Sequence, residues 1–533
     1  MAALTAHHYG LKPLIIEKNK YFGGTTARSG GVLWMPQNRF MKDIGVPDSE
    51  QEGRDYLEQM VKGRSAQARQ DAFLTYGPLM IDFLEEHTEV RLQPMPGYPD
   101  YYPELPGGKN GRCIEAKVFN GKKLGPLYHD LNPSIWELAN RFRMTGNEFY
   151  HIAMLFSTWA GKKTAAKVGW RMVADFFTGR KRLTMGRALG AMLGYSLQQK
   201  GIPMWLNTEV TDLITEGGRV TGICAKREGK SIEIMANKAV IFATGGFPHN
   251  EEMRRKYQHN TSTKEWTLAN VTNTGDGIRI AEKHGAKLDL MEDAWWGPMS
   301  INPNGVPFFH ISERALPGSI MVNKKGKRFV NEAKPYTELI HLIQELQDKG
   351  EETVPCYYIY DHRVRKKYSF GLMRARMTSK KYLESGYVVK AKTLEELAGK
   401  MGIDSANLVE TVRHYNEMVK TGKDTDFQKG DSVYDLRFGD PTVEPNACLA
   451  PLTQGPYYCT LLYPGDIGTK GGILTDEFGR VLNEGGEVMP GFYATGNTSA
   501  AVMGHSYPGA GATIASAMTF AYVAILHLVG EVS

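Results

Sequence analysis

A phenol held inside a glycine-rich turn is the first group in this sequence that could do chemistry. Tyr507 stands in Gly504-His505-Ser506-Tyr507-Pro508-Gly509-Ala510-Gly511, ahead of an apolar helix expected from about Ala512 to Val529. Just upstream, Pro490-Gly491-Phe492-Tyr493-Ala494-Thr495-Gly496-Asn497 reads as a short apolar strand running into a glycine-bearing turn. Glycine lets the backbone approach a flat or anionic ligand closely. A helix start offers free N–H groups and a partial positive charge. Together these features imply a cofactor cradle with a reactive group attached.

The opposite half of such a cradle is expected near the N-terminus. A helix over Ala2 to Tyr9 stops at Gly10, and a buried strand over Leu11 to Ile16 ends in Glu17. Tyr21-Phe22-Gly23-Gly24-Thr25-Thr26-Ala27-Arg28-Ser29-Gly30-Gly31 follows. This order is the second half of a dinucleotide-binding βαβ unit, in which the acidic residue after the second strand hydrogen-bonds a ribose hydroxyl. The strand and G-x-G-x-x-G that normally precede the helix are not in this sequence. The expectation is that upstream residues carry them, and that the chain as written binds its dinucleotide weakly.

Further strands and turns point to one α/β body with an insertion. Pro203 to Asn207 reads as a strand. A hairpin over Val210 to Ile214 and Val220 to Ala225 turns at Gly217-Gly218, and Ser231 to Met235 adds a strand. Lys238 to Gly246 is a buried strand ending in a glycine turn, and Asn273-Thr274-Gly275-Asp276-Gly277 opens a helix. From about residue 297 the pattern becomes mixed, with strands Gly318 to Val322 and Tyr357 to Tyr360 and helices Thr337 to Lys349, Leu394 to Met401 and Ser405 to Lys420. The expected fold is α/β, a Rossmann-like cofactor domain with an inserted α+β catalytic domain. The expected divisions are 1–296, with a basic amphipathic insertion at about 141–187, then 297–466, then the return segment 467–533.

Bulk properties exclude several classes. With 533 residues, 42% hydrophobic and 23% charged, the chain is of ordinary globular composition and long enough for more than one domain. A net charge of +6 without a polybasic tail does not suit nucleic acid. The five cysteines form no C-x-x-C pair, so no metal site is expected, and the odd count suits a reducing, cytoplasmic setting. The most apolar run, Ala515 to Val529, is interrupted by Ser516, Thr519 and His527 and is expected to be a core helix.

The order of these motifs resembles flavoproteins of the fumarate reductase/succinate dehydrogenase type, and within them the 3-ketosteroid Δ1-dehydrogenases. The resemblance runs over nearly the whole chain. It includes Tyr21 to Thr26, Ala243-Thr244-Gly245-Gly246, Asn273 to Gly277, Leu290-Met291-Glu292-Asp293-Ala294-Trp295-Trp296 and Pro317-Gly318-Ser319-Ile320. It continues through Arg328-Phe329-Val330-Asn331-Glu332, Asp466 to Gly472, Ala494 to Asn497 and Tyr507 to Gly511. The resemblance implies non-covalent FAD, held by Glu17, Gly23, Gly24, Thr25, Thr26, Ser29, Gly30, Val210, Ala243, Thr244, Gly245, Asp276, Gly496, Asn497 and Ile514.

The implied reaction removes a proton from C2 and a hydride from C1 of a 3-ketosteroid. The resemblance assigns the oxyanion donors to the Tyr507 hydroxyl and the Gly511 N–H, and the base to a tyrosinate, Tyr336. Tyr101 is assigned as the second phenol that hydrogen-bonds the base, with Tyr102 the adjacent alternative. A free phenol has a pKa of about 10, so the site must favour the anion. Trp295 and Trp296 are expected to pack. Electrons would pass to an external acceptor such as a quinone. The alternatives are a Δ4-(5α)-dehydrogenase, a fumarate-type ene-reductase, or a non-catalytic flavoprotein relative. Finally, 149–177 joins aromatic residues to Lys162, Lys163, Lys167 and Arg171, with Arg180, Lys181 and Arg182 just beyond, which suits either a membrane interface or a packed helical pair.

Overall fold

A computed structural model describes residues 1–134 and 143–532. Residues 141 and 142, at the start of the expected insertion, lie outside the described part. The first strand is only Ile15–Ile16, shorter than expected. Pro13 has no N–H to give to a ladder. The strand pairs in parallel with Met204–Trp205. The Glu17 N–H donates to the Trp205 carbonyl at 2.9 Å, and the Glu17 carbonyl accepts from Thr208 N–H at 2.9 Å. Glu17 is thereby fixed at the start of an antiparallel meander of Thr208–Glu216, Arg219–Arg227 and Lys230–Met235. Gly217 and Gly218, at φ 55° and 78°, make its first turn, the left-handed pair that a two-residue hairpin needs.

A long-range pair brings the two halves of the cradle together. Val240–Phe242 lies parallel to Val488–Ala494, with Val240 opposite Phe492. The strand stops at Phe242 rather than running on to Gly246. Ala243 and Thr244 lie beyond it, exposed. Between these partners the chain builds a second sheet in the order Pro307–Phe309, Ala294–Ile301, Tyr457–Thr469, Cys356–Tyr360, Ser319–Val322. Val389–Ala391 also pairs with Tyr457–Thr469, and all these pairs are antiparallel. The expected divisions at 296/297 and 466/467 fall inside Ala294–Ile301 and Tyr457–Thr469. Those two strands pair with each other, Trp296 opposite Asp466.

The helix Ala512–Val529 packs on Gln67–His87 and Ala2–His8. By length and composition it could cross a membrane, but 67% of it is buried in the protein. A helix that is apolar all round belongs in a core. The largest apolar cluster contains this helix together with Tyr101, Tyr336 and Tyr507, so the candidate phenols are core residues.

A buried ionic clamp holds the approach to Tyr336. Arg328 Nε and Nη2 donate to the two carboxylate oxygens of Glu332 at 2.7 and 2.9 Å, and Nη1 donates to Asp424 at 2.8 Å. Lys429 stands 3.5 Å from Glu332, and the Met321 N–H donates to Glu332 at 3.0 Å. All four charged side chains are almost completely buried. Burial opposes ionisation of Glu332, but Arg328 and Lys429 outweigh it and hold the carboxyl below its ordinary range. Removing one partner of such a network strands a buried charge. Arg328→Met is expected to lower the unfolding free energy by about 3–5 kcal/mol in a urea titration. A loss under about 1 kcal/mol would place the clamp among ordinary surface pairs.

Candidate active site

Three phenols from distant parts of the chain meet in the core. The Tyr101 hydroxyl donates to the Tyr336 hydroxyl at 2.5 Å. The Tyr336 and Tyr507 rings are 5.5 Å apart between centroids, and those of Tyr101 and Tyr507 5.3 Å. The Gly511 N–H donates to the Tyr507 hydroxyl at 3.3 Å. All three tyrosines are at most 4% exposed. Tyr102, the adjacent alternative, turns away and donates to Glu338.

Each phenol is positioned by its own element. Tyr336 is the first residue of the helix Tyr336–Asp348, after Pro335. Tyr101 lies in a loop pinned through Asp100. That carboxylate accepts from Trp34 Nε1 at 2.7 Å, from Arg112 Nη1 at 2.8 Å and from Lys109 N–H at 3.0 Å. Arg112 turns its other edge to Asp48, at 2.8 and 2.7 Å. Burial pushes the Asp100 carboxyl up to about 6, while Arg112 beside it pulls the other way. The Pro508 carbonyl then ties this loop to the Tyr507 turn, accepting from Tyr101 N–H at 3.0 Å and from the Tyr56 hydroxyl at 2.7 Å.

The Tyr507 turn is packed too tightly for side chains at its glycines. Gly511 has φ +90°, and a Cβ there would lie 1.9 Å from the Val32 carbonyl oxygen. The Trp295 ring lies 4.7 Å from that of Tyr507, tilted by 58°, and donates through Nε1 to Asn497 at 3.1 Å. Lys470, completely buried, donates to the His505 carbonyl at 2.7 Å and to Asp293 at 2.9 Å. Asp293 also accepts from Trp296 Nε1 at 2.7 Å and pairs with His341 at 2.8 Å. Burial resists the Asp293 charge, but Lys470 and His341 hold that carboxyl far below its ordinary range.

Burial pushes Tyr101 and Tyr336 well above the ordinary phenol range. Neighbouring phenols push Tyr336 the same way, and the Tyr101 hydrogen bond pulls against them. Burial takes Tyr507 to about 12, with bonding to Tyr336 and Gly511 acting in the other direction. The site is thus a buried cluster of phenols whose surroundings favour the neutral form. It can donate hydrogen bonds to a carbonyl oxygen beside Tyr507 and Gly511, and it can take a proton at Tyr336 once that phenol is ionised.

The residues expected to hold a dinucleotide come from several separate turns. Gly23 and Gly24 open the helix Gly24–Arg28 at φ 98° and 51°, and a Cβ on Gly24 would meet nothing within 4 Å. Thr25 accepts from Asn270 N–H at 3.0 Å and Asn273 Nδ2 at 3.1 Å, and Ser29 accepts from Gly31 N–H at 3.0 Å. Thr26, Gly30, Gly496, Asn497 and Ile514 are all half-buried. Glu17 accepts from Asn19 N–H at 2.8 Å, and burial raises its carboxyl. Val210 packs in one apolar cluster with Ile16, beside Glu17. A Cβ on Gly245 would strike Asn273. Asp276 is engaged within the protein by Lys18, Thr274 and Arg279. The half-exposed acid, the open glycine backbone and the uncovered Ala243 and Thr244 fit a nucleotide cofactor with a flat ring.

Sequence reasoning found the phenols and the glycine turns. It missed Arg112, Asp100, Trp34 and Asn270, whose partners lie far away along the chain. Asp293 and Lys470 stand in the sequence only as members of the motifs Leu290 to Trp296 and Asp466 to Gly472.

Comparison with known proteins identifies the family. A family model described as an FAD binding domain matches residues 1–514. The 3-oxosteroid 1-dehydrogenase of Mycobacterium tuberculosis is 44% identical over 542 residues, spanning 100% of this chain and 96% of that protein. The crystal structure of 3-ketosteroid delta1-dehydrogenase from Sterolibacterium denitrificans, in complex with 1,4-androstadiene-3,17-dione, superposes with a TM-score of 0.95 at 36% identity. It covers 100% of this chain and 97% of that one. The 3-ketosteroid-delta4-(5alpha)-dehydrogenase of Rhodococcus jostii reaches 0.64 at 19% identity, covering 99% and 94%, a likeness of fold alone.

Gly24→Val is expected to leave the melting temperature within a few degrees and to weaken FAD binding at least about tenfold, read by flavin fluorescence titration against the parent. Unchanged affinity with a filled cradle would show that Gly24 does not face the cofactor.

Proposed function

This chain belongs to the FAD binding domain family and, by full-length identity, to the 3-oxosteroid 1-dehydrogenases, and we propose from that premise how its side chains carry the reaction. It is an FAD-dependent oxidoreductase acting on CH–CH bonds, which desaturates 3-ketosteroids between C1 and C2. Bound FAD supplies the acceptor for the C1 hydride. The Tyr507 hydroxyl and the Gly511 N–H hold the C3 carbonyl oxygen and stabilise the enolate that forms when C2 loses its proton. Each donor of this kind contributes about 3 kcal/mol to the transition state. The Tyr336 phenolate takes the C2 proton, and Tyr101 orients and stabilises it. The observation that carries this reading is the 2.5 Å phenol–phenol bond beside a glycine N–H and hydroxyl pair only 3.3 Å apart. The electrons leave for an external acceptor such as a quinone.

The test uses a 3-keto-4-ene steroid with an artificial acceptor. The product is expected to carry its new double bond at C1–C2. The rate should rise with pH from neutral into the alkaline range, because the base acts only when deprotonated and burial raises its pKa. Tyr336→Phe should lower kcat by about 10²–10⁴-fold. A Tyr336→Phe enzyme with the parent rate and pH profile contradicts the assignment.

We further propose that the helix Trp159–Thr178 contacts an anionic membrane surface, where steroids partition. Trp159, Trp170, Phe176 and Phe177 are 76–82% exposed. Trp159, Lys163, Ala166, Trp170, Val173 and Phe177 recur at helical spacing on one exposed face. Lys162, Lys163, Lys167, Arg180 and Lys181 are exposed around it. The one acid of the helix, Asp175, is buried and consumed by Arg143 and Arg182. Each basic residue near an anionic leaflet contributes about 1 kcal/mol. The enzyme should co-sediment with vesicles containing phosphatidylserine. Replacing Trp159, Trp170, Phe176 and Phe177 with serine should abolish this without loss of activity on dissolved steroid. Unchanged sedimentation, or a change of oligomeric state instead, would assign the face to another contact.

A further inference from the structure

A buried cation near the phenol cluster has no part in that scheme. Arg314, in the turn Glu313–Ala315, is completely buried. Its bonds go to neutral carbonyls: Nε to His310 at 3.0 Å, and Nη1 to Glu332 and to Lys334, the latter at 2.9 Å. Nη2 has no hydrogen-bond partner. Lys334 lies two residues before Tyr336. A buried charge whose direct hydrogen bonds all go to neutral groups is costly to keep.

Tyr434 stands between this cation and the phenols. It lies on the helix Val433–Phe438, which packs against the Arg314 turn. It is completely buried, and its hydroxyl also lacks a well-formed hydrogen bond. Its ring meets that of Tyr101 at 5.0 Å, and Tyr101 donates to Tyr336. We propose that Arg314, acting through Tyr434, is a positioning residue that supplies the positive charge against which the Tyr336 phenolate forms. This inference rests on the dehydrogenase reading.

The surrounding charges agree with that role. Burial pushes the Tyr434 phenol up, and the Arg314 guanidinium beside it pulls it back. Around Tyr336 stand the phenols of Tyr98, Tyr101, Tyr434 and Tyr507, with the Cys113 thiol nearby; none carries charge while protonated. Arg437 acts on Tyr98 rather than on Tyr336. His310 is kept neutral by burial, its pKa down to about 3. Asp435 also faces Arg314, and its carboxylate accepts from Asn331 at 2.8 Å and Gly430 N–H at 3.0 Å, while burial opposes its charge. Burial pushes Glu313 up to about 7, so this neighbouring acid does not fully neutralise Arg314 at neutral pH.

The experiment first requires the parent enzyme to desaturate a 3-ketosteroid; failure there removes the dehydrogenase reading itself. The pH dependence of kcat/KM is then measured for Arg314→Gln, Arg314→Lys and Tyr434→Phe, each checked for flavin content and melting temperature. Arg314→Gln should move the alkaline midpoint up by at least about one pH unit, a tenfold loss at neutral pH, mostly in kcat. Arg314→Lys should keep the midpoint near that of the parent. In a Tyr434→Phe background Arg314→Gln should move it by a smaller amount. An unmoved midpoint in folded, flavin-loaded Arg314→Gln overturns the proposal. If that variant does not fold, a midpoint moved up by about one pH unit or more in folded, flavin-loaded Arg314→Lys does the same.

Discussion

The hydrogen bond between the Tyr101 and Tyr336 hydroxyls, joining positions 235 residues apart, is the contact around which the site is arranged. Two phenols facing each other in a dry core are useful only if their separation is fixed to a few tenths of an ångström. Neither loop could do that alone. Asp100 is therefore held by Trp34, Arg112 and Lys109, and the segment before Tyr336 by the Arg328–Glu332–Asp424 network. The Pro508 carbonyl couples the Tyr101 loop to the turn carrying Tyr507 and Gly511. The fold keeps ion pairs in its interior at positions that hold phenols, where a purely apolar core would leave the loops free to shift.

Topology explains how these segments meet. The parallel pair Val240–Phe242 with Val488–Ala494 returns the C-terminal segment to the first half of the chain. The strand Tyr457–Thr469 then runs from the inserted sheet directly into the glycine turn at 468–472. The phenol cluster and the glycine turns proposed to hold the cofactor therefore share rigid elements. Lys470 continues this coupling, joining Asp293 to the carbonyl two residues before Tyr507.

Local features were legible in the sequence because their signals are local. The hairpin at Gly217-Gly218 follows from two adjacent glycines between alternating strands, and the helix Ala512–Val529 from a long, mostly apolar run after Gly511. The strands over Leu11 to Ile16 and Lys238 to Gly246 were expected too long, one limited by Pro13 and the other by the opening at Ala243. Tyr101 and Tyr102 could not be ordered from sequence, since both lie in one loop. Only the position of Glu338 draws one of them aside. Arg112 and Arg314 gave no signal, because a lone basic residue reveals nothing of the buried acid or carbonyl it will meet.

The central claim is that one carbonyl oxygen is held between Tyr507 and Gly511 while Tyr336 faces the adjacent carbon. A crystal structure of the flavin-loaded enzyme with a bound 3-ketosteroid tests it directly. The account predicts the C3 oxygen at about 3 Å from both the Tyr507 hydroxyl and the Gly511 nitrogen, with C2 as the ring carbon nearest the Tyr336 hydroxyl. A steroid bound with its C3 oxygen away from that pair, or with C4 rather than C2 against Tyr336, would contradict it.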